Sequence, residues 1–389
     1  MRLPIIFMII IILLNACIDY AIFRTLKSNS RRIWSQIYVG VSIVITLFII
    51  IVISLPRRNG SDNQLLFIMW SLFTYFSIYL PKYTFLLSRT LCFKKKIVKY
   101  IAPIGLFIGC ICAMLMWWGA LINRYNVNVE KVAVEINDLP TSFDNYRIAQ
   151  ISDLHLGTFN GDTIHVSKLV DIINSLDVDL VAFTGDIVNR KSEELLPYES
   201  ILSRIKAKDG VFSVLGNHDY GDYLDWTTPQ AKIENYHLIC EINKRMGWNL
   251  LLNETKYVYR GNDSIAVIGV ENIGDPPFKV YGSLDKAYPS LADSTIKILL
   301  THNPSHWEVD IKDNKKNNIA LTLSGHTHAM QIELLGFSPS IFRYNYWKGL
   351  YMDNLNRYLY VNVGAGTVAM PMRIGATPEI TVLTLNDAK

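Results

Sequence analysis

An α/β domain preceded by four transmembrane helices is the architecture this sequence predicts. Three observations predict it. The first 123 residues contain four long apolar runs, while the remainder alternates strand-like and helix-like segments before turning mainly to strands. The charge also changes sign between the two parts. Residues 1–123 carry 13 Lys/Arg against 2 Asp/Glu, and residues 124–389 carry 25 against 32, so a balance of +11 gives way to one of −7.

The apolar runs are Leu3–Phe23, Gln36–Leu55, Gln64–Leu80 and Ile97–Ile122. A helix needs about 20 apolar residues to cross a hydrocarbon layer. Trp117, Trp118 and Tyr100 lie near the two ends of the last run, where aromatic rings favour the lipid–water boundary. Four such runs in succession without intervening strands make a poor soluble core. Residues 1–123 therefore read as a membrane domain and 124–130 as a short tether of at most about 25–30 Å. Residues 131–389 read as one large domain.

Loop charge gives the orientation. Arg24, Lys27, Arg31 and Arg32 occupy the first connection, and Arg89, Lys94, Lys95, Lys96 and Lys99 the third. Basic connections stay in the cytoplasm. The N-terminus and the large domain are then expected outside an inner, multi-pass membrane anchor, with Arg57 and Arg58 running against the rule. A competing reading takes Met1–Cys17, ending Leu-Asn-Ala-Cys, as a cleaved signal with a lipid-modified cysteine. That reading would leave Arg24–Arg32 outside. Four of the five cysteines (Cys17, Cys92, Cys110, Cys112) belong to the membrane part and Cys240 is alone in the domain, so no disulfide is expected within it. The acidic domain also argues against a nucleic-acid groove.

In chain order, strands are expected at Lys131–Ile136 and Arg147–Ser152, and a helix at Thr163–Leu176. Leu180–Thr184 reads as a strand, Glu193–Ile205 as a helix, Val211–Leu215 as a strand and Gln230–Met246 as a helix. Strands follow at Lys256–Arg260, Ser264–Val270, Lys297–Leu300, Ala320–Leu323, Tyr358–Val363 and Glu379–Leu385. Lys312–Asn318 is a solvated loop. Helices interleaved with strands indicate sheets covered by helices.

The chemistry sits in five blocks: ISDLHLG, FTGDIVN, VLGNHD, LLTHN and LSGHTH. They supply Asp153, His155, Asp186, Asn217, His302, His326 and His328. Asp153, Asp186 and Asn217 follow apolar runs at the carboxyl ends of expected strands, where ligand sites of α/β sheets gather. Asp153 and His155, like His326 and His328, stand at i, i+2, so alternate side chains of an extended segment could meet one ion. Gly216 and Gly325 leave room beside the metals. Any one of these residues alone reads as a helix cap or an ordinary hydrogen bond; the set of five blocks does not. Mixed carboxylate, amide and imidazole ligands suit two divalent ions, manganese, iron or zinc. The absence of thiolate speaks against a structural zinc.

The blocks DLH, GDIVN, GNHD, THN and GHTH resemble those of the calcineurin-like metallophosphoesterase superfamily over about residues 145–385. The apolar N-terminus and the tail VNVGAGTVAMPMRIGATPEITVLTL look most like its membrane-associated bacterial branch. The resemblance implies a four-layer αββα sandwich with a dinuclear site at the sheet edges. Asp153, His155, Asp186 and His328 would hold one metal, and Asp186, Asn217, His302 and His326 the other. A hydroxide held between the ions would attack phosphorus, and His218 would protonate the leaving oxygen, oriented by Asp153 or Asp219, or would only orient a phosphate. Relatives often have two glycines where Ala329 and Met330 stand, which implies a bulkier pocket wall. Arg373 could bind a substrate phosphate or form a structural ion pair. His165, His237 and His306 fall outside every block and read as surface or supporting residues.

A membrane-anchored phosphoesterase is the leading expectation, with a lipid-linked phosphate among membrane lipids as its candidate substrate. The alternatives are a nucleotide-sugar (UDP-diacylglucosamine-type) pyrophosphate hydrolase on the cytoplasmic face and a non-enzymatic membrane scaffold or sensor. The scaffold would be expected to lose ligands, and none is lost. A transporter is poorly supported, because Asp19 and Asp62 are the only acidic residues among the spans. No protein partner can be inferred.

Overall fold

The computed structural model describes residues 5–28, 32–91, 95–288 and 294–388. Leu3, Arg31, Cys92 and Lys94, which figure in the expectations above, lie outside the described residues. The chain forms two compact units, one built on Met1–Leu121 and the other on Ile122–Val368 and Arg373–Lys389.

The first unit has four helices: α1 (Ile5–Ser28), α2 (Arg32–Ser54), α3 (Asp62–Thr90) and α4 (Lys95–Leu121). All four are long and apolar enough to cross a membrane. Ser61 caps α3 by accepting from the Gln64 N–H. Helices α3 and α4 approach closely where Gly105 and Gly109 face Thr84, Ser88 and Pro81. A Cβ on Gly109 would stand 2.5 Å from the Pro81 backbone. Small residues four apart are the means by which apolar helices come together without a hydrophobic drive. Asp19 is buried and accepts from Lys82 at 2.8 Å and from the Tyr38 and Tyr79 hydroxyls. Asn15, also buried, joins Tyr75 and Tyr83. Asp19 thus has a charged partner in Lys82.

The second unit holds two six-stranded sheets. Its strands are β1 (Asn128–Ile136), β2 (Tyr146–Ile151), β3 (Leu180–Phe183), β4 (Val211–Ser213), β5 (Asn249–Leu250), β6 (Glu254–Arg260), β7 (Asp263–Gly269), β8 (Ile296–Leu300), β9 (Ile319–Ser324), β10 (Gly349–Met352), β11 (Tyr358–Val361) and β12 (Glu379–Asp387). The orders are β1-β12-β2-β3-β4-β5 and β10-β11-β9-β8-β7-β6. The parallel runs are β2-β3-β4-β5 and β7-β8-β9-β11; β12 pairs parallel to β1 and antiparallel to β2.

Alternation along the strands builds the layers. Ile148, Leu180, Ala182 and Phe212 of the first sheet meet Ile265, Val267, Ile298 and Leu321 of the second in one buried core. The other face of the first sheet, with Ala149, Ile151, Val181 and Phe183, packs under α5 (Thr163–Ser175) and α7 (Pro229–Arg245). The outer face of the second is covered by single-turn elements carrying Ala287, Trp307 and Ile311. The αββα sandwich is therefore present, with a thin fourth layer.

Local departures have local causes. Expected helix Glu193–Ile205 is a 3-10 segment, Ser192–Tyr198, followed by one α-turn, α6 (Glu199–Leu202). Pro197 lacks the N–H that an α-helix needs at that position. The expected tether is not a free linker. Asn123 and Arg124 are buried in the second unit, where they donate to the Arg373 and Thr158 carbonyls, and β1 already begins at Asn128.

Candidate metal centre

Every expected ligand stands just past the carboxyl end of a parallel strand. Asp153 and His155 follow β2, Asp186 follows β3, Asn217 follows β4, His302 follows β8, and His326 and His328 follow β9. The edge of both sheets thus delivers donors to one place. Five of the seven are held at positive φ: Asp153 (54°), His155 (45°), Asp186 (58°), His326 (74°) and His328 (51°). A non-glycine residue in the left-handed region costs about 1–2 kcal/mol. Such strain persists only where the surroundings over-determine it, and it concentrates at functional sites.

The ligand atoms form overlapping clusters. Asp153, His155 and His328 make one, Asp186, His302 and His326 another, and His155, Asp186 and His218 a third that shares a residue with each; within each the ligand atoms lie within 4.8 Å of one another. Asp186 Oδ2 stands 3.1 Å from His302 Nε2 and 3.6 Å from His155 Nε2, so it belongs to both sides. Asn217 Oδ1 reaches His302 Nε2 at 3.2 Å, and His326 Nδ1 reaches the same nitrogen at 3.2 Å. His155 Nε2 and His328 Nε2 face each other at 3.0 Å. Two nitrogens bound to one ion at about 2.1 Å come about 3.0–3.4 Å apart, so this spacing fits a shared cation. Asp153 Oδ1 is buried with no hydrogen-bond partner and lies 3.2 Å from His328 Nε2. A buried acceptor left in this way, among lone pairs turned toward it, has the chemistry of a cation ligand. Gly216 and Gly325 are required here, since a Cβ on either would stand within 2.3 Å of an Asp186 or Asp153 carboxylate oxygen.

Surrounding groups aim these ligands. His302 Nδ1 donates to the Thr184 carbonyl at 2.8 Å, which frees Nε2 for an ion. The Asn217 amide donates to the Tyr223 hydroxyl at 2.8 Å, which turns its oxygen inward. Tyr344 Oη lies 3.2 Å from His326 Nε2, the nitrogen away from the cluster. None of these partners stands out from the sequence; the tyrosines are isolated loop residues.

His218 sits at the same edge, its ring 4.7 Å from that of His155 and stacked on Tyr223. Its Nδ1 donates to the Asn189 carbonyl at 2.6 Å. Neither Asp153 nor Asp219 orients it, contrary to expectation. Asp219 instead accepts from the Asp186, Gly216 and Val188 N–H groups and braces the turns. Arg373 also departs from expectation. It is fully buried, its donors go to the Gly366, Ala376 and Val363 carbonyls, and its Nη2 stands 3.1 Å from His328 Nδ1. A guanidinium so committed has no face for a substrate phosphate and no carboxylate partner among the described residues; it braces His328 and the loop beneath it. His165 stacks on Tyr125, His306 is buried against Thr301, and His237 is exposed.

Burial and neighbouring charge set the protonation. Burial alone would raise Asp153, but His328, His155 and His302 hold it well below the usual carboxylate range. Asp186 is held down likewise by His302 and His218. Burial lowers His155 and His328, and lowers His326 to about 3, so these rings are neutral, the form that binds metals. Burial would lower His302 too, yet the Asp186 carboxylate lifts it to about 9. His218 falls to about 4 through burial.

Ala329 and Met330 take the conformation in which glycine would be at ease, with φ of 49° and 46°. Their departure from the glycine pair is thus a matter of backbone strain.

Comparison with known proteins agrees with this site. The profile described as calcineurin-like phosphoesterase matches residues 146–330. A Bacillus subtilis metallophosphoesterase, YkuE, is 31% identical over 259 residues, covering 64% of this chain and 81% of its own. A zebrafish (Danio rerio) transmembrane protein with metallophosphoesterase domain is 29% identical over 287 residues, 72% of this chain, and the chain spans only 62% of that relative's length. A Helicobacter pylori metallophosphoesterase is 26% identical along 99% of this chain and 98% of its own, so its likeness extends through the four apolar helices. On the strength of the Bacillus relative and the blocks that form the site, the chain belongs to the calcineurin-like metallophosphoesterase family.

Proposed function

We propose that the second unit hydrolyses a phosphomonoester or phosphodiester with the help of two divalent metal ions, manganese, iron or zinc. One observation carries this reading: a single carboxylate, Asp186, stands between the two clusters of ligand atoms, 3.1 Å from His302 of the second and 3.6 Å from His155 of the first. Asp153, His155, Asp186 and His328 would hold one ion, and Asp186, Asn217, His302 and His326 the other. Two such ions supply positive charge opposite a phosphoryl group and a nucleophile at neutral pH. The chain's own part is to fix the donors. Thr184, Tyr223 and Arg373 restrain His302, Asn217 and His328, so little reorganisation is left for the reaction itself.

His218 is the residue for the leaving oxygen. Its Nδ1–H is spent on Asn189, so Nε2 carries the lone pair and would take a proton from water before passing it to the leaving oxygen. His218→Ala is expected to lower kcat by about 10²–10⁴-fold with metal content unchanged. The loss should be larger for alkyl than for aryl esters, because a good leaving group needs no acid. Equal losses on both would make His218 a phosphate-orienting group instead.

On this reading the chain lies in the cytoplasmic membrane with its catalytic unit outside, because the first and third connections are basic. A lipid-linked phosphate is the substrate class, supported by the permanent anchor and the absence of a long linker. Purified full-length protein assayed with Mn²⁺ and an aryl phosphodiester tests the reaction. No turnover with metals demonstrably bound would overturn it. Alkaline phosphatase fused after Lys389 tests the side; an inactive fusion would favour the cytoplasmic nucleotide-sugar pyrophosphate reading.

A further inference from the structure

The segment that leaves the last two histidines runs into an apolar loop. Leu334 and Phe337 close a tight hairpin, each backbone N–H donating to the other's carbonyl at 2.9 and 3.0 Å, and Pro339–Phe342 adds one 3-10 turn. Leu335 at the tip is fully exposed, Phe342 is 83% exposed, and Leu334, Phe337 and Ile341 are each more than half exposed. No ionisable residue interrupts 334–342.

This exposure is built. Ser338 and Ser340 are completely buried at the base of the loop, and Ser338 Oγ donates to the Ala329 carbonyl at 2.6 Å. Glu333 N–H donates to the Ile374 carbonyl at 2.7 Å. The rings of Phe337 and Phe342 pack edge to face at 5.9 Å. Five large apolar side chains are therefore held into solvent by a pinned backbone, and a patch of that kind marks an interaction site.

We propose that Leu334–Phe342 docks on a lipid bilayer and enters the boundary between headgroups and acyl chains. The chain itself argues for this occupant. It carries four membrane-length helices, and the seven-residue step from Leu121 to Asn128 keeps a bilayer within about 25 Å of the start of β1. The loop is a convex, uncharged tip of leucine, isoleucine and phenylalanine, which suits a fluid apolar medium that moulds around it. Leu334 follows the ligand His328 by six residues, so a seated loop keeps the metal centre near the headgroups. That consequence rests on the phosphoesterase reading; the docking itself does not.

The test uses the full chain in lipid nanodiscs, with its five cysteines changed to serine and Leu335→Cys carrying an NBD fluorophore. Emission shifted to the blue and quenched by doxyl-labelled lipid is expected. Emission as in water, indifferent to the quencher, would overturn the proposal. So would an unquenched label that cross-links readily between copies, which would assign the surface to a second chain. A second measurement compares substrates. Leu335→Ser with Phe342→Ser should reduce hydrolysis of a bilayer-embedded phosphodiester about tenfold and leave a soluble aryl phosphodiester unchanged. Equal loss on both would overturn the link to substrate. If the unmodified protein hydrolyses neither, the phosphoesterase reading fails and the fluorescence still decides the docking.

Discussion

Both units bury polar groups, but in opposite ways. In the helical unit Asp19 and Asn15 are both satisfied: Asp19 accepts from Lys82 and two tyrosine hydroxyls, and Asn15 accepts from the Tyr83 hydroxyl and donates to Tyr75. At the sheet edge of the second unit, ligand-type atoms crowd together and part of their hydrogen-bonding capacity is unmet. Two imidazole nitrogens stand 3.0 Å apart, Asp153 Oδ1 has no donor, and five ligands sit on left-handed backbone. A satisfied network holds a structure together. A crowd of carboxylate, amide and imidazole atoms on strained backbone is kept by its surroundings for a cation that completes it.

That contrast can be broken most severely at Asp186. Asp186→Asn should reduce activity by about 10³-fold or more and remove at least one metal. The fold should stay intact, since the carboxylate is not part of the core; circular dichroism and metal analysis would show it. Retained activity would end the idea of a shared ligand.

In the helical unit the corresponding break is Lys82→Met. It strands Asp19 with hydroxyl donors alone, and removing one partner of a buried pair costs about 3–5 kcal/mol. The double variant Asp19→Leu with Lys82→Met should recover most of that. Metal content should be the same in both variants as in the unmodified protein, because the two sites share no partner. Thermal unfolding in detergent, read beside metal analysis, separates the two units.

A milder perturbation is pH. The metal-free pair of His302 and Asp186 holds a proton up to about pH 9, so its stabilising effect is full below the ordinary histidine range near 6.5 and is lost as pH rises through about 9. A metal must displace that proton. Manganese uptake at pH 7 should release about one proton from His302, and affinity should strengthen between pH 6.5 and 9. Calorimetry in two buffers of different ionisation enthalpy measures the release; none would mean that His302 is neutral.

The smallest effect expected is a gain. Met330→Gly relieves a left-handed residue whose side chain is 41% exposed, so stability should rise by about 1 kcal/mol in denaturant titration. A loss would show that the Met330 side chain holds its turn by packing.

Much of the site was legible because its signal is made of side chains. Apolar runs ending in Asp153, Asp186 and Asn217 mark strand ends, and strand ends in such a fold converge. What escaped notice works through the main chain or through burial. Asn189 acts by its carbonyl, which any residue type would offer. Arg373 was read by its charge, whereas its location inside the fold decides its role. Tyr223 and Tyr344 are single aromatics in loops, with no period to betray them. In the fold, β5 and β10 are too short to show alternation, and Pro197 interrupts a stretch whose other residues follow a helical pattern. The strain at Ala329 and Met330 also has no mark in composition, since φ is not a property of residue type outside glycine and proline.

Strand β12 is inserted between β1 and β2, and the Gly364–Gly366 turn before it holds the Asp153 segment, with Ala365 and Gly366 N–H groups donating to the Ser152 and Asp153 carbonyls. During synthesis, β1 and β2 emerge from the ribosome more than 220 residues ahead of the strand that must separate them. The anchor can enter the lipid while its hydrolase half is still a nascent chain. Metal loading therefore waits for β12 to emerge, and a nonsense codon between Asn128 and Glu379 would leave the four helices with no means of assembling a reaction centre.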